Sequence, residues 1–252
     1  MIYNRQLPRN LAFLSLSVIL GADLAITEIA PLAVAQTTPI QSSVGKSVTF
    51  TCNDSEATIK AKNGPKVTTG STTIYIGYQQ VSSTNKDSRL VRFDNGVKRW
   101  CLSNYETTGD DGSGYGLLWD GGSVLYGVFS STGTQTGNNF GRFAIGRWLT
   151  SYGSGGGPKV AVIARIDPTN GSVKYATFLT AKRPDNGKTN SLLVTSLLWN
   201  GTNLTVRATS WWTPRRTNTS AMNCSGSSPY QYTAVFTSDL TKMNSASAAT
   251  CS

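Results

Sequence analysis

Four short runs rich in apolar, β-branched and aromatic residues lie between Leu90 and Phe129, each bounded by turn formers: Leu90 to Asp94, Val97 to Ser103, Tyr115 to Asp120 and Ser123 to Phe129. The first two are joined by Asp94-Asn95-Gly96 and the last two by Asp120-Gly121-Gly122, where Asn and Gly supply the positive φ of tight hairpins. The stretch is therefore two hairpins in succession, and the same order of signals returns downstream. Ile163 to Asp167, Ser172 to Leu179, Leu192 to Asn200 and Leu204 to Trp211 repeat it, with Leu197-Leu198-Trp199-Asn200-Gly201 answering Leu117-Leu118-Trp119-Asp120-Gly121. A third copy opens at Ala234, and the strand-ending Asp94, Asp167 and Asp239 fall at nearly equal intervals. A chain that repeats at this scale is constrained to an array, solenoid or propeller of like units.

The pattern predicts an all-β fold of repeated four-stranded antiparallel units. Unit 1 spans residues 88–130, unit 2 spans 158–212 and a partial unit 3 spans 230–252, with a closing strand within 71–80 and further strands within 36–70. Ser47 to Cys52 and Ala57 to Lys62 are the strands expected there, the second because it alternates apolar with polar residues. Their pairing with the last half-unit would close a ring and remove exposed sheet edges.

The succession of strand-ending aspartate, GDDGSGYG, LLWDGG and LYGVFSSTG resembles the bacterial β-propeller repeats of secreted and cell-surface proteins. The resemblance covers residues 73–252, departs in lacking Gly-Gly after the second strand, and implies architecture rather than an activity. It makes the fold β-propeller-like. Two full and two part units give about three blades where closed propellers have about four to eight, so a degenerate N-terminal blade or a homo-oligomer would be needed to close the ring. A two-sheet β-sandwich is the alternative, since many short, evenly spaced strands suit it equally.

Arg5 and Arg9, the apolar run from Leu11 to Ala22, and Ala33-Val34-Ala35 follow the order of a secretory signal peptide covering residues 1–35. Asp23 and Glu28 interrupt the apolar stretch, so no membrane span is expected after cleavage. The expected location is periplasmic or extracellular. There Cys52, Cys101, Cys224 and Cys251 form two disulfides. Of three connectivities, Cys52–Cys101 with Cys224–Cys251 is favoured, and Cys52–Cys251 would instead staple the termini.

The chain has no histidine, which excludes Ser-His-Asp and Cys-His catalysis. No metal site or cofactor is indicated, and GDDGSG lacks the spacing of an EF-hand loop. Glu106, Asp110, Asp111 and Asp120 form the only local acidic cluster; Asp120 corresponds to Asn200, which marks it as a turn former rather than a catalytic acid. The run Gly153 to Pro158 lacks a phosphate-loop order and reads as a connector.

A net charge of +10 points to an anionic partner, such as an acidic polysaccharide or another envelope polymer, and the lack of any nucleic-acid motif disfavours nucleic acid. Trp211, Trp212, Arg215 and Arg216 are the first candidate contact. One tryptophan is expected in the core and its neighbour outside beside two guanidinium groups. Arg147 and Trp148 are the second candidate. The expected function is thus a non-catalytic binding module. Its alternatives are a glycan-acting enzyme using the acidic loop and a structural envelope protein without a specific ligand.

Overall fold

The computed structural model describes residues 39–133, 137–155, 157 and 159–252. The segment read as a signal peptide lies outside them, as do Gly156 and Pro158 of the glycine-rich connector. The chain is all-β, with antiparallel sheets built from consecutive hairpins.

The N-terminal sheet is the meander β2 (Lys66–Thr69), β3 (Thr72–Ser82), β4 (Asn85–Asp94) and β5 (Val97–Leu102). The central sheet holds β6 (Gly112–Trp119), β7 (Leu125–Ser131), β8 (Val160–Ile166) and β9 (Val173–Leu179), with β1 (Gln41–Val44) added beside β6. The C-terminal sheet is β12 (Leu192–Trp199), β13 (Asn203–Ser210), β14 (Tyr230–Thr237) and β15 (Met243–Ala248). A small ribbon of β10 (Ala181–Lys182) and β11 (Thr189–Asn190) links the last two.

The turns are set by local chemistry. Asn95 and Gly96 both take positive φ between β4 and β5, as a two-residue hairpin demands. Asp94, Asp167 and Asp239 occupy the same turn, between the third and fourth strands of their sheets. Asp120 Oδ1 accepts the N–H groups of Gly122 and Val124, and Asn200 Oδ1 accepts those of Thr202 and Asn203. The neutral amide does the work of the carboxylate, so the charge is dispensable. Asp120→Asn should therefore change unfolding free energy by less than about 0.5 kcal/mol, whereas Asp120→Ala should cost about 1 kcal/mol. Urea denaturation of the two variants checks this.

The three large sheets stack in layers, with the central sheet covered on both faces. Alternation decides which side chain goes where. Leu117, Trp119, Leu125, Phe129, Val162 and Ala164 face Ile74, Ile76 and Leu90 of the N-terminal sheet. Leu118, Tyr126, Val128, Ala161 and Ile163 face Val194, Leu204, Val206, Ala234 and Phe236 of the C-terminal sheet. Each large side chain so buried stabilises by roughly 1.5–3 kcal/mol.

The repeat frame and the sheet frame are out of step by one hairpin. The four strands read in unit 1 are β4 to β7, so its first hairpin completes the N-terminal sheet and its second begins the central one. The strands of unit 2 are divided likewise between the central and C-terminal sheets.

The region before β2 departs from expectation. Residues Ala57 to Lys62 are not a strand but lie in helix α1 (Glu56–Ala61) and its C-cap, Lys62; Ser55 caps its start by accepting the Thr58 N–H. Asn63, with φ of 55°, follows the helix end. Its buried Ile59 packs with Phe50, Tyr75, Val91 and Phe93 over the outer face of the N-terminal sheet.

Val48 to Phe50 make a short parallel bridge to β3, with Phe50 N–H to the Tyr78 carbonyl at 2.9 Å and Tyr78 N–H to the Val48 carbonyl at 3.0 Å. Only glycine fits opposite, since a Cβ on Gly77 would lie 2.2 Å from the Val48 oxygen. These segments thus serve the N-terminal sheet, β1 serves the central sheet, and β15 is an edge of the C-terminal sheet. No ring is closed among the described residues.

The disulfides pair Cys52 with Cys101 and Cys224 with Cys251. The first ties the 48–52 segment to β5, and the second ties the loop before β14 to the chain end. Among the described residues no helix is long and apolar enough to cross a membrane.

Candidate functional site

Beyond Ser210 the chain leaves β13 and bends at Trp211 and Trp212 before Thr213 bridges to Lys182. Trp211 N–H donates to the Ser191 carbonyl at 3.2 Å, Ser210 Oγ donates to the Trp212 carbonyl at 2.7 Å, and Lys182 N–H donates to the Thr213 carbonyl at 2.9 Å. Held on both sides, the two indoles project together: Trp211 is 42% and Trp212 36% exposed. The expected split into one core and one surface tryptophan does not occur, because strand alternation has no second layer to bury a ring against once the sheet ends. The guanidinium of Arg183 lies 4.7 Å from the Trp212 ring and is itself gripped by Asp185 at 2.7 Å. That stack fixes the indole plane.

The pair forms one wall of a cleft of about 830 Å³. Leu193, at 45% exposure, adds apolar surface. Lys46, from the loop after β1, and Lys159, just before β8, bring two exposed ammonium groups. Ser113 and Ser130, hydrogen-bonded to each other at 2.7 Å across β6 and β7, and Ser47, bonded to the Gly114 carbonyl at 2.5 Å, add hydroxyls. Tyr115 is buried behind them, its hydroxyl accepting the Val194 N–H at 3.1 Å, and burial raises the phenol's pKa above its ordinary value. Among the described residues no carboxylate lines the cleft, and Lys46 and Lys159 have no acidic partner. Aromatic faces, cations and hydroxyls gathered in one cleft can bind and orient a ligand.

The two arginines after the tryptophans do not share this surface. Arg215 is 7% exposed; its Nε donates to Thr180 Oγ1 at 2.8 Å and its Nη1 to the Thr219 carbonyl at 2.7 Å, and burial lowers its pKa. Arg216 donates to the carbonyls of Ala221 and Ser252. Arg215 and Arg216 thus staple the loop that follows β13, and Arg216 also ties it to the chain end. Trp148 is 8% exposed, with its indole N–H on the Thr217 carbonyl at 2.7 Å and its ring edge-on to Phe236. The Arg147 guanidinium lies 4.5 Å from the Tyr175 ring. Arg147 and Trp148 line a separate groove of about 390 Å³.

Asp120 is set apart from the rest of the acidic cluster, while Glu106 and Asp110 stay close enough to interact. Asp120 lies at one end of β6 and Glu106, Asp110 and Asp111 precede the other, so the length of the strand, about 25 Å, separates them. Paired carboxylates act over about 5–10 Å. Asp111 lies 3.9 Å from the Lys86 ammonium. Glu106 is 1% exposed, accepts from the Thr108 N–H at 2.6 Å and from its hydroxyl, and among the described residues has no partner at Oε2. Burial first, then the nearby Asp87 and Asp110, push its carboxyl up to about 7.

Lys46, Lys159 and Leu193, which sequence reasoning did not single out, come from three separate segments, and no spacing links them. Pairing of β12 with β13 brings Leu193 beside the tryptophans, and the stacking of the central sheet on the C-terminal one brings Lys46 and Lys159. No protein-family model, curated protein or solved structure matches the chain.

Proposed function

We propose that this protein is an exported, non-catalytic β module that binds an acidic polysaccharide in the cleft between Trp211–Trp212 and Lys46–Lys159. The observation that carries the reading is the combination on one surface of two exposed indoles with two ammonium groups and, among the described residues, no lining acid. Sugar rings present apolar C–H faces that lie against aromatic faces, while carboxylate or sulfate groups seek cations. Export is supported by the charged, apolar and small-residue order of residues 1–35 and by two disulfides, which persist in oxidising compartments.

The propeller-type kinship belongs to the same proposal. Each large sheet contains a four-stranded up-and-down meander as a blade does, and the first strands β2 and β12 of the outer sheets both touch β6 of the central one.

Titration with an acidic and a neutral polysaccharide at two ionic strengths tests the function. The acidic polymer should bind more tightly, and less so as salt rises. Trp211→Ala with Trp212→Ala should weaken binding at least about tenfold, and Lys46→Ala with Lys159→Ala should remove most of the salt dependence. Binding unchanged in both double variants would overturn the reading.

A further inference from the structure

Trp211 and Trp212 line a second cavity of about 370 Å³, whose other walls include Pro184, Thr213, Ser227, Ser228 and Tyr230. The tryptophans are the only residues its lining shares with the large cleft, so among the described residues they form a ridge between two compartments. Their chemistries differ. The large side carries Lys46 and Lys159, whereas the small side carries hydroxyls, a proline ring and a phenol but no charged group. Tyr230 is half-buried, with its hydroxyl donating to the Gly226 carbonyl at 3.2 Å, and Cys224, tied to Cys251, anchors the loop that carries Ser227 and Ser228. Arg183 and Asp185 brace the ridge itself.

Resting on the reading of the large cleft as an acidic polysaccharide site, we infer that the small cavity is a second subsite, one that takes a neutral sugar of the same chain across the tryptophan ridge. A ring on this side gains an aromatic face in Tyr230 and hydroxyl partners in Ser227 and Ser228, while a second acidic sugar there would lose its hydration and find beside it only Arg183, whose guanidinium is already paired with Asp185. The two compartments together select a polymer whose acidic residues are interrupted by neutral ones. They bind an internal stretch of it in preference to a short fragment.

Calorimetric titration with oligosaccharides of alternating uronic acid and neutral sugar, as disaccharide and hexasaccharide, tests this against all-uronate oligomers of the same lengths. For the alternating series the hexasaccharide should bind at least about tenfold more tightly than the disaccharide, and the gain should be much smaller for the all-uronate series. Tyr230→Ala should remove that gain while leaving disaccharide affinity in place, which also shows the large cleft intact. Ser227→Trp, at an exposed loop position, fills the cavity and should do the same without touching the core. A length gain that survives both variants, or is equal for all-uronate oligomers, overturns the second subsite alone. Wild-type protein that binds neither acidic series overturns the underlying function as well.

Discussion

Replacing Phe129 by alanine should lower the unfolding free energy by about 4 kcal/mol, and with it the melting temperature by about 10 °C. Phe129 is fully buried in β7 on the face of the central sheet that meets the N-terminal sheet. Its ring lies 5.4 Å from Tyr105 and 5.0 Å from Phe140, so a loop and the short 3-10 helix Phe140–Phe143 rest on it as well as a sheet. Tyr105 is held by its own hydroxyl on the Gly171 carbonyl at 2.8 Å and cannot follow the collapsing wall. The void therefore persists, and its lining loses dispersion contacts that water does not replace. Phe129→Leu, which keeps most of the volume, should cost only about 1 kcal/mol. Chemical denaturation followed by tryptophan fluorescence measures both. A loss below about 1 kcal/mol for Phe129→Ala would mean that the two sheets are not in contact through this ring.

Stability should fall by about 3 kcal/mol as the pH rises from about 4.5 to about 7, and Glu106→Gln should remove most of that fall. The Glu106 carboxyl is raised from 4.5 to about 7 first by burial, with Asp87 and Asp110 adding to the shift and the Thr108 hydrogen bonds opposing it. A carboxyl with a raised folded value binds its proton more tightly in the native chain than in the unfolded one. Its stabilising protonation is complete below the unfolded value, is lost through the window up to the folded value, and changes no further above it. Asp87, raised chiefly by burial, acts in the same direction. The charged groups around the site include Arg142, which Glu106 favours in its cationic form although burial lowers its pKa.

Asp94, held low first by its hydrogen bond from Arg92, and Asp167, held low first by Thr169, act oppositely. Their contribution is lost only as the pH falls through the range below 3.8, so the acid limb is separable from the Glu106 window. Gln at position 106 keeps the acceptor for Thr108 and carries no proton to lose, so the variant should be more stable than wild type near pH 8 and similar to it near pH 4.5. Parallel pH profiles for the two proteins would sink the assignment.

Much of the strand inventory is legible in the residues. The strands of units 1 and 2, the closing strand β3 and the hairpin turns follow from period-two alternation and from Asn, Asp and Gly at positions that need positive φ or a side-chain acceptor. These are interactions between near neighbours, and a sequence displays near neighbours directly. Helix α1 was missed because residues 57–62 alternate as a strand would. The cap at Ser55, with Glu56 in the first turn and Asn63 after the last, was the better signal.

The sequence by itself determined the β class and the four-strand rhythm, and it left open which of the candidate cysteine pairings the structure then fixed as Cys52–Cys101 and Cys224–Cys251. Tertiary structure alone decided that each repeat is shared between two sheets, that Arg215 is interior while both tryptophans are not, and that Lys46 and Lys159 face them. The reason is physical: hairpins form from contacts a few residues apart, whereas layering is chosen by which faces bury the most apolar surface together, and that depends on segments far apart in the chain. Whether an arginine is buried or exposed depends on which distant carbonyls and hydroxyls remain unpaired once the sheets have stacked.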